Sequence, residues 1–429
     1  MTRLMGIALA VLTLVAAAEA LGQVPPTRAL PAPTGPFGVG RIAYHWTDSS
    51  RADPLSPGEG AHREIMVHIS YPAARPMTSR QTAPYIDAFA AVSKAVPREA
   101  LEGLFRPAAY AVIERSLPET HTVEGAAMPS STEKYPVLLF SHGLGNPSAL
   151  YTASIEDLVS SGYVVAAIDH TYDTTFTVFP GARVVVYARQ AWQTESQKPN
   201  GYINYVKKRI EEAWAPDIRF VLGQLVRLDG DASLSAPFSG RLDLERVGAF
   251  GHSMGGLAAV RACQLEVRIL ACMNQDADIA GSPFIDPPTG DGLRQPLLFF
   301  TAATANVFKD SFVRPTDEDL RRMNRTRSQY DAEVARVQRN QNAALASVRG
   351  GSYRVFIDIP SFTHRTFSDL TLLAADDGPQ RDESLANFRI AQSYTRAFFD
   401  KYLKGQRDTL LDRPSSPNAR VRVDRWESR

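Results

Sequence analysis

Two apolar runs in the first half of the chain predict neighbouring buried strands. The first covers residues 135–140, and the second covers residues 162–169 and ends in an aspartate. Between them, residues 150–160 have the spacing of a helix. Strands that are apolar on both faces and joined through a helix are typical of a parallel sheet covered on both sides. The sequence therefore predicts an α/β architecture.

The same pattern continues in the second half. A short apolar run at 247–250 precedes a helical segment at 257–263, and a long helical pattern at 202–228, interrupted at Pro216, provides the crossover before them. Three more strand candidates and a closing amphipathic helix follow, at 267–273, 295–301, 353–359 and 384–402. We therefore predict a mostly parallel central sheet with helices on both faces.

One early segment has a different period. Residues 63–71 alternate around Ile65, Val67 and Ile69 and end before Pro72. Alternation with a proline at the end is typical of an antiparallel strand at a sheet edge.

A polar segment interrupts the predicted sheet before strand 353–359. Residues 310–348 carry apolar side chains at helical spacing, and Thr316 followed by Glu318 and Asp319 is typical of a helix start. We predict a helical insertion before the last strand. A lid beside the pocket and a plain surface hairpin are both compatible with its composition.

The amino-terminal residues have the pattern of an export signal. Arg3 precedes an apolar run at 4–18, and Ala18 and Ala20 form a small-x-small site. The run is shorter than the roughly 20 residues that a membrane-spanning helix needs. We therefore expect a signal peptide over residues 1–20 and a secreted or periplasmic protein.

The rest of the chain is expected to fold as one unit. Residues 21–36 are rich in proline and glycine, so we expect a flexible leader there. Residues 37–429 are expected to form a single domain that includes the 310–348 insertion.

The charge balance and the cysteine content limit the kinds of partner and site that the sequence predicts. The 429 residues include 47 Lys and Arg against 46 Asp and Glu, a formal charge of +1, without a block of like charge. This balance argues against a nucleic-acid partner. The two cysteines, Cys263 and Cys272, can pair in an oxidising compartment or pack as buried thiols, and the sequence leaves both options open. A zinc or redox C-x-x-C pattern is absent from the sequence.

The central motif lies between strand 247–250 and helix 257–263. Residues 251–255 read Gly-His-Ser-Met-Gly and fit G-x-S-x-G, which in this context is typical of a nucleophile elbow. The sharp turn needs glycine on both sides of the serine because larger side chains would clash. Ser253 is therefore the candidate nucleophile.

A serine nucleophile needs a base that takes its proton and a carboxylate that orients the base. In α/β-hydrolase folds these residues follow the serine in the order acid, then histidine. Of the eight histidines, only His364 follows Ser253, in a loop beyond strand 353–359. His364 is therefore the candidate base.

Three aspartates are candidates for the acid. Asp276 and Asp278 closely follow strand 267–273, whereas Asp310 lies nine residues past Thr301. A carboxylate just behind a strand end is held rigidly, so we favour Asp276. Asp278 and Asp310 remain alternatives.

Acyl transfer also needs hydrogen-bond donors for the developing oxyanion. One candidate is the backbone N–H of Met254, directly after the nucleophile. The other is the backbone N–H of Leu144, in the glycine-rich turn 142–145 that follows strand 135–140.

These motifs resemble the plasma-type platelet-activating-factor acetylhydrolases. The resemblance spans most of residues 35–367, and its segments are 35–40, 69–72, 133–145, 150–151, 164–167 and 251–256. It implies an α/β-hydrolase fold and a calcium-independent serine esterase that releases short or oxidised acyl chains from phospholipids. It also implies a catalytic role for Ser253, Asp276 and His364, and backbone oxyanion donors at Leu144 and Met254.

The sequence therefore predicts a secreted serine carboxylic ester hydrolase that acts through an acyl-enzyme on short-acyl or phospholipid-type esters. A general carboxylesterase, lipase or polyester hydrolase is the alternative, and a peptidase uses the same residues. A non-catalytic binding protein of the same fold is the alternative of another class. We expect a small-molecule or lipid ester as partner, with transient contact to a lipid surface left open, and no cofactor or metal.

Overall fold

The computed structural model describes residues 29–58, 60–75, 82–198, 201–230, 237–277, 292–302, 316–322, 325–374, 378–413 and 415–428. Its strands are β1 (Gly38–Ala52), β2 (His62–Ala73), β3 (Thr122–Glu124), β4 (Tyr135–Ser141), β5 (Val164–Asp169), β6 (Phe176–Phe179), β7 (Arg183–Val186), β8 (Leu242–His252), β9 (Ile269–Gln275), β10 (Leu297–Ala302), β11 (Ser352–Ile357) and β12 (Val421–Trp426).

The helices are α1 (Phe89–Ala95), α2 (Arg98–Phe105), α3 (Pro107–Arg115), α4 (Thr152–Ser160), α5 (Arg189–Ser196), α6 (Gly201–Arg209), α7 (Ala215–Gly230), α8 (Met254–Leu265), α9 (Asp317–Arg322), α10 (Arg327–Ala346), α11 (Leu370–Ala374) and α12 (Pro379–Leu403). A π-helical stretch, Ile210–Trp214, joins α6 to α7, and short 3₁₀ turns cover Ser148–Tyr151, Pro180–Ala182 and His364–Phe367. None of the helices described is both long and apolar enough to cross a membrane.

A ten-stranded sheet organises the described residues, in the order β12-β11-β10-β9-β8-β4-β5-β2-β1-β3. The six strands from β11 to β5 run parallel to one another. Most of their side chains are buried, on both faces, where two hydrophobic clusters lie against helices on either side. The predicted α/β architecture, with a mostly parallel sheet between helical layers, is confirmed.

The antiparallel end of the sheet is larger than the sequence predicted. β2 is an antiparallel strand, as expected, but it pairs with β5 on one side and β1 on the other and is therefore not an edge strand. β3 continues the sheet beyond β1. Residues Ile42, Tyr44 and Trp46 of β1 alternate towards the core, a pattern that could have revealed this strand.

The segment before β1 is packed against the domain. Leu30 is buried, the Thr34 backbone N–H donates to Asp157 Oδ1 over 3.0 Å, and the Gly35 N–H donates to Ser160 Oγ over 2.9 Å. Residues 29–36, which we expected to belong to a flexible leader, therefore lie against the domain, because Thr34 and Gly35 have partners on α4 and the Leu30 N–H donates to the Glu119 carbonyl.

The polar insertion forms α9 and α10 before β11. Thr316 and Asp319 exchange side-chain and backbone hydrogen bonds at the start of α9, which confirms the helix start predicted there. β11 is the last parallel strand, and β12 pairs antiparallel with it after α12. The sequence pattern did not predict β12.

A disulfide joins Cys263 near the end of α8 to Cys272 in β9, with the two Cα atoms 6.5 Å apart. Both side chains are buried. This bond decides between the two options that the sequence left open. It ties the helix that follows Ser253 to the strand that leads to Asp276.

Removing this disulfide is expected to destabilise the protein. For a closed loop of this length, loss of the crosslink lowers the unfolding free energy by about 3 kcal/mol. Urea unfolding of C263A/C272A, compared with wild type in the presence and absence of dithiothreitol, measures the effect. Reduced wild type should approach the variant, and a denaturation midpoint unaffected by dithiothreitol would contradict the prediction.

Candidate active site

The elbow geometry at Ser253 depends on two close backbone contacts. Ser253 lies between β8 and α8 with φ 54° and ψ −127°, a conformation that costs energy for a residue with a side chain. A Cβ on Gly255 would lie 2.2 Å from the Ser141 carbonyl oxygen, and one on Gly251 would lie 2.4 Å from the backbone of Gly255. Only glycine fits at these two positions, so the turn presents Ser253 at the carboxyl edge of the sheet.

His364 and Asp276 are hydrogen-bonded to each other. His364 Nδ1 lies 2.8 Å from Asp276 Oδ2, and the two side chains are 14% and 7% exposed. The other carboxylate oxygen accepts the Ala302 backbone N–H over 3.0 Å. An ionised carboxylate only accepts, so this bond places the imidazole proton on Nδ1 and leaves Nε2 free to act as a base. Asp278 and Asp310, the alternative acids, lie outside the described residues.

The 3₁₀ turn that begins at His364 brings its ring next to the elbow. The ring centroids of His364 and His252 are 4.3 Å apart, and His252 directly precedes Ser253. The Ser253 N–H donates to the Gln275 carbonyl, next to Asp276, over 2.9 Å. Within the described residues, the Ser253 hydroxyl has no hydrogen-bond partner. Catalytic hydrogen bonds often tighten only when substrate binds.

The glycine-rich turn after β4 is fixed on both sides of Leu144. The Gly143 N–H donates to the Tyr151 hydroxyl over 3.0 Å, and the Gly145 N–H donates to the Asp173 carbonyl over 2.8 Å. Among the described residues, the backbone N–H groups of Leu144 and Met254 have no partner. The N–H groups of both neighbours of Leu144 thus have acceptors. Within the described part of the chain, the N–H of Leu144 at the turn and that of Met254 at the elbow remain available as donors.

The buried side chain of His142 stabilises the same turn through two hydrogen bonds. Its Nε2 accepts the His170 backbone N–H over 3.1 Å, so the proton lies on Nδ1, which donates to the Gly143 carbonyl over 2.8 Å. Burial, together with nearby His170, lowers the pKa of His142 to about 4. The neutral imidazole is therefore the form that holds the turn.

The low pKa of His142 predicts acid sensitivity. Between the ordinary value of 6.5 and about 4 the unfolded chain binds a proton at His142 that the folded protein does not, so stability rises with pH across this window. Lowering the pH from 7 to 4 should therefore reduce the free energy of unfolding by roughly 3 kcal/mol through His142 alone. Urea unfolding of wild type and H142N at both pH values measures it. Parallel losses in the two proteins would contradict the prediction.

Two buried carboxylates anchor the segment beneath the turn. Asp173 accepts from Arg209, Trp214 and Tyr205 over 2.8, 2.7 and 3.0 Å. Asp217 accepts from Arg63 Nη2 over 2.7 Å and lies 2.9 Å from His170 Nδ1. Burial alone would raise the pKa of Asp217, but Arg63, His170 and Arg51 hold it well below its usual range.

Sequence reasoning missed this support. Residues 170–173 directly follow the buried strand β5, at the same sheet edge as the elbow, and that position could have marked His170 and Asp173. Asp217 and Arg63 carry no comparable signal because they are far apart in sequence and meet only through tertiary packing.

The chain matches two family models. The alpha/beta hydrolase family matches residues 137–413, and platelet-activating factor acetylhydrolase, isoform II, matches residues 24–215. A probable 1-alkyl-2-acetylglycerophosphocholine esterase of Arthroderma benhamiae is 26% identical over 92% of this chain and 93% of its own length. A platelet-activating factor acetylhydrolase of Bos taurus is 23% identical over 64% of this chain and 59% of its own length.

A solved structure is also similar. The ferulic acid esterase from Streptomyces cinnamoneus is 28% identical, with a TM-score of 0.65, over 92% of this chain and 99% of that one. The resemblance to acetylhydrolases is confirmed, and the names of the relatives support a carboxylic ester hydrolase, as the sequence predicted. Together with the fold, the match over residues 137–413 shows that the chain belongs to the α/β hydrolase family.

Proposed function

We propose that this esterase cleaves short-acyl esters through Ser253, His364 and Asp276. The observation that carries the proposal is the hydrogen bond between His364 Nδ1 and Asp276 Oδ2, beside a serine held in elbow geometry. Together the three residues provide a nucleophile, a base and the carboxylate that orients the base.

In the proposed reaction, Ser253 Oγ attacks the ester carbonyl while His364 Nε2 takes its proton. Asp276 stabilises the resulting imidazolium, and the N–H groups of Leu144 and Met254 donate to the oxyanion. The alcohol leaves with the proton from His364. Water, activated by the same histidine, then attacks the acyl-enzyme and releases the acid and Ser253.

The acyl preference rests on the relatives. The acetyl group in the names of the two acetylhydrolase-type relatives supports an acetyl ester of a glycerophospholipid as substrate. The ferulic acid esterase neighbour favours an aromatic acyl group as the second candidate.

A hydrolysis panel separates these candidates. Initial rates are measured on p-nitrophenyl acetate, butyrate and palmitate, on a 1-alkyl-2-acetylglycerophosphocholine and on methyl ferulate, with S253A as control. We expect acetyl and butyryl esters to exceed palmitoyl. A rate on the palmitate ester equal to or above that on the acetate ester would contradict the short-acyl proposal. A rate on methyl ferulate above the rates on all other esters would support the second candidate. A wild type inert on every ester and unlabelled by fluorophosphonate would instead indicate a binding protein.

We also propose that the protein is exported. The sequence pattern of residues 1–20 supports this, and the buried Cys263–Cys272 disulfide fits an oxidising compartment. Fractionation of expressing cells, with amino-terminal sequencing of the exported form, tests it. A chain that stays in the cytoplasm with its first residues intact would contradict export.

A further inference from the structure

One buried hydroxyl contacts both halves of the proposed oxyanion site. Tyr151 Oη accepts the Gly143 N–H and the Asn146 Nδ2–H, each over 3.0 Å, and lies 2.8 Å from His252 Nδ1. A phenol has one proton and two acceptor lone pairs. Both lone pairs are used, so the proton points to His252 Nδ1.

The two groups that Tyr151 holds are adjacent to the two oxyanion donors. Gly143 precedes Leu144 in the turn, and His252 is separated from Met254 only by Ser253. The packing at this junction is tight, because a Cβ on Gly143 would lie 3.1 Å from His252 Nδ1 and 3.2 Å from Tyr151 Oη. The hydroxyl therefore sets the separation of the turn and the elbow.

Tyr151 itself is rigidly held. Its ring packs 4.8 Å from that of Phe140, centroid to centroid. It directly precedes α4, and the buried Asp369 accepts the Ala153 N–H over 3.3 Å and donates its own backbone N–H to the Leu150 carbonyl over 2.6 Å. Asp369 lies five residues after His364, so the same junction also fixes the histidine loop.

We propose that Tyr151 and His252 are positioning residues that couple the oxyanion turn to the nucleophile and keep the neighbour of His364 uncharged. This inference rests on the proposed function. The hydrogen bond from Tyr151 uses the Nδ1 lone pair of His252 and so stabilises its neutral form. A positive charge on His252, 4.3 Å from the His364 ring, would oppose the imidazolium that forms on His364 during catalysis.

The surroundings of His252 favour the same state. Burial, with His364, His142 and Arg365 nearby, lowers the pKa of His252 well below its usual range. Tyr151 also faces it, and burial raises the pKa of that phenol. Both partners therefore stay neutral around pH 7.

The test compares Y151F with Y163F on p-nitrophenyl acetate between pH 5 and 9, with active enzyme counted by fluorophosphonate titration. Tyr163 is a matched control because its buried hydroxyl donates to Asp400 over 2.7 Å, away from the site. We expect Y151F to lower kcat about 10- to 100-fold with KM changed by less than about twofold. Y163F should lose thermal stability but keep its rate per active site.

The pH profile distinguishes coupling from a structural role. Without the Tyr151 hydroxyl, neutral His252 loses a stabilising hydrogen bond, so the pKa of His252 should rise. The acid limb of the kcat/KM profile should then move to higher pH by at least about half a pH unit. H252N keeps an acceptor near the Nδ1 position and cannot titrate. The limb of Y151F/H252N should therefore match that of H252N alone.

Three results would overturn the proposal. The first is a loss of kcat in Y151F no larger than that in Y163F. The second is a loss of kcat in Y151F that is the same at every pH. The third is an acid limb of kcat/KM that still shifts when Y151F is added to H252N. If wild type is active, S253A is not, and Y151F equals wild type, the proposed function stands and only the coupling fails. An inactive wild type would overturn both.

Discussion

Replacing Ser253 with alanine should lower kcat/KM for p-nitrophenyl acetate by at least about 10⁴-fold. The hydroxyl is the atom that would form the acyl-enzyme, and no other described serine lies in an elbow with glycine packed against the backbone on both sides. Alanine is smaller than serine and tolerates the same turn, so folding should persist. Steady-state rates and covalent labelling by a fluorophosphonate measure the effect.

A distant serine provides the control for this substitution. Ser393 lies on α12, where its hydroxyl donates to the Arg389 carbonyl, so S393A should keep wild-type activity and labelling. Circular dichroism of both variants checks that the fold is retained. Labelling of S253A at the wild-type rate would show that another residue is the nucleophile.

Replacing Asp276 with asparagine should lower kcat by about 10³- to 10⁴-fold near neutral pH. The Ala302 N–H requires an acceptor at the position of Oδ1, so the amide should place its oxygen there. Its NH₂ group would then point at His364 Nδ1 and donate to it. The imidazole would carry its proton on Nε2, where it could no longer accept the proton of Ser253.

A second aspartate at the same sheet edge is the matched control. Asp358 directly follows β11 and is exposed, so D358N removes a negative charge from the same region without touching His364. Its rate should stay close to that of wild type. A D276N enzyme with wild-type kcat would rule out Asp276 as the orienting acid and leave Asp278 and Asp310 as the candidates.

The features predicted correctly from the sequence depend on local signals. The buried strands β4 and β5 and residues 247–250 of β8 are continuous apolar runs, and the elbow motif is a run of adjacent residues. The position of β2 could not be settled in the same way. Its alternation indicates one antiparallel strand, but only the presence of β1 upstream decides whether it is an edge.

Features that depend on tertiary packing were left open or missed. Whether Cys263 and Cys272 can pair depends on how α8 packs against β9, which spacing alone does not give. The contacts of Tyr151 connect residues up to 101 positions apart. Chain order was enough to select His364 as the candidate base, because it is the only histidine after Ser253. Its contacts with Asp276 and His252, which lie at the ends of two other strands, arise only through tertiary packing.

The place of β12 in the sheet affects how the protein is made. β12 pairs along the whole of β11, the strand that leads into the His364 loop, and it follows every other strand along the chain. Until residues 421–426 have been synthesised, β11 is an open edge, which is a template for pairing with other chains. In chain order, the histidine is therefore the last member of the candidate site whose supporting strand gains both neighbours, and the open edge of β11 is where a chain without residues 421–426 could pair with another chain.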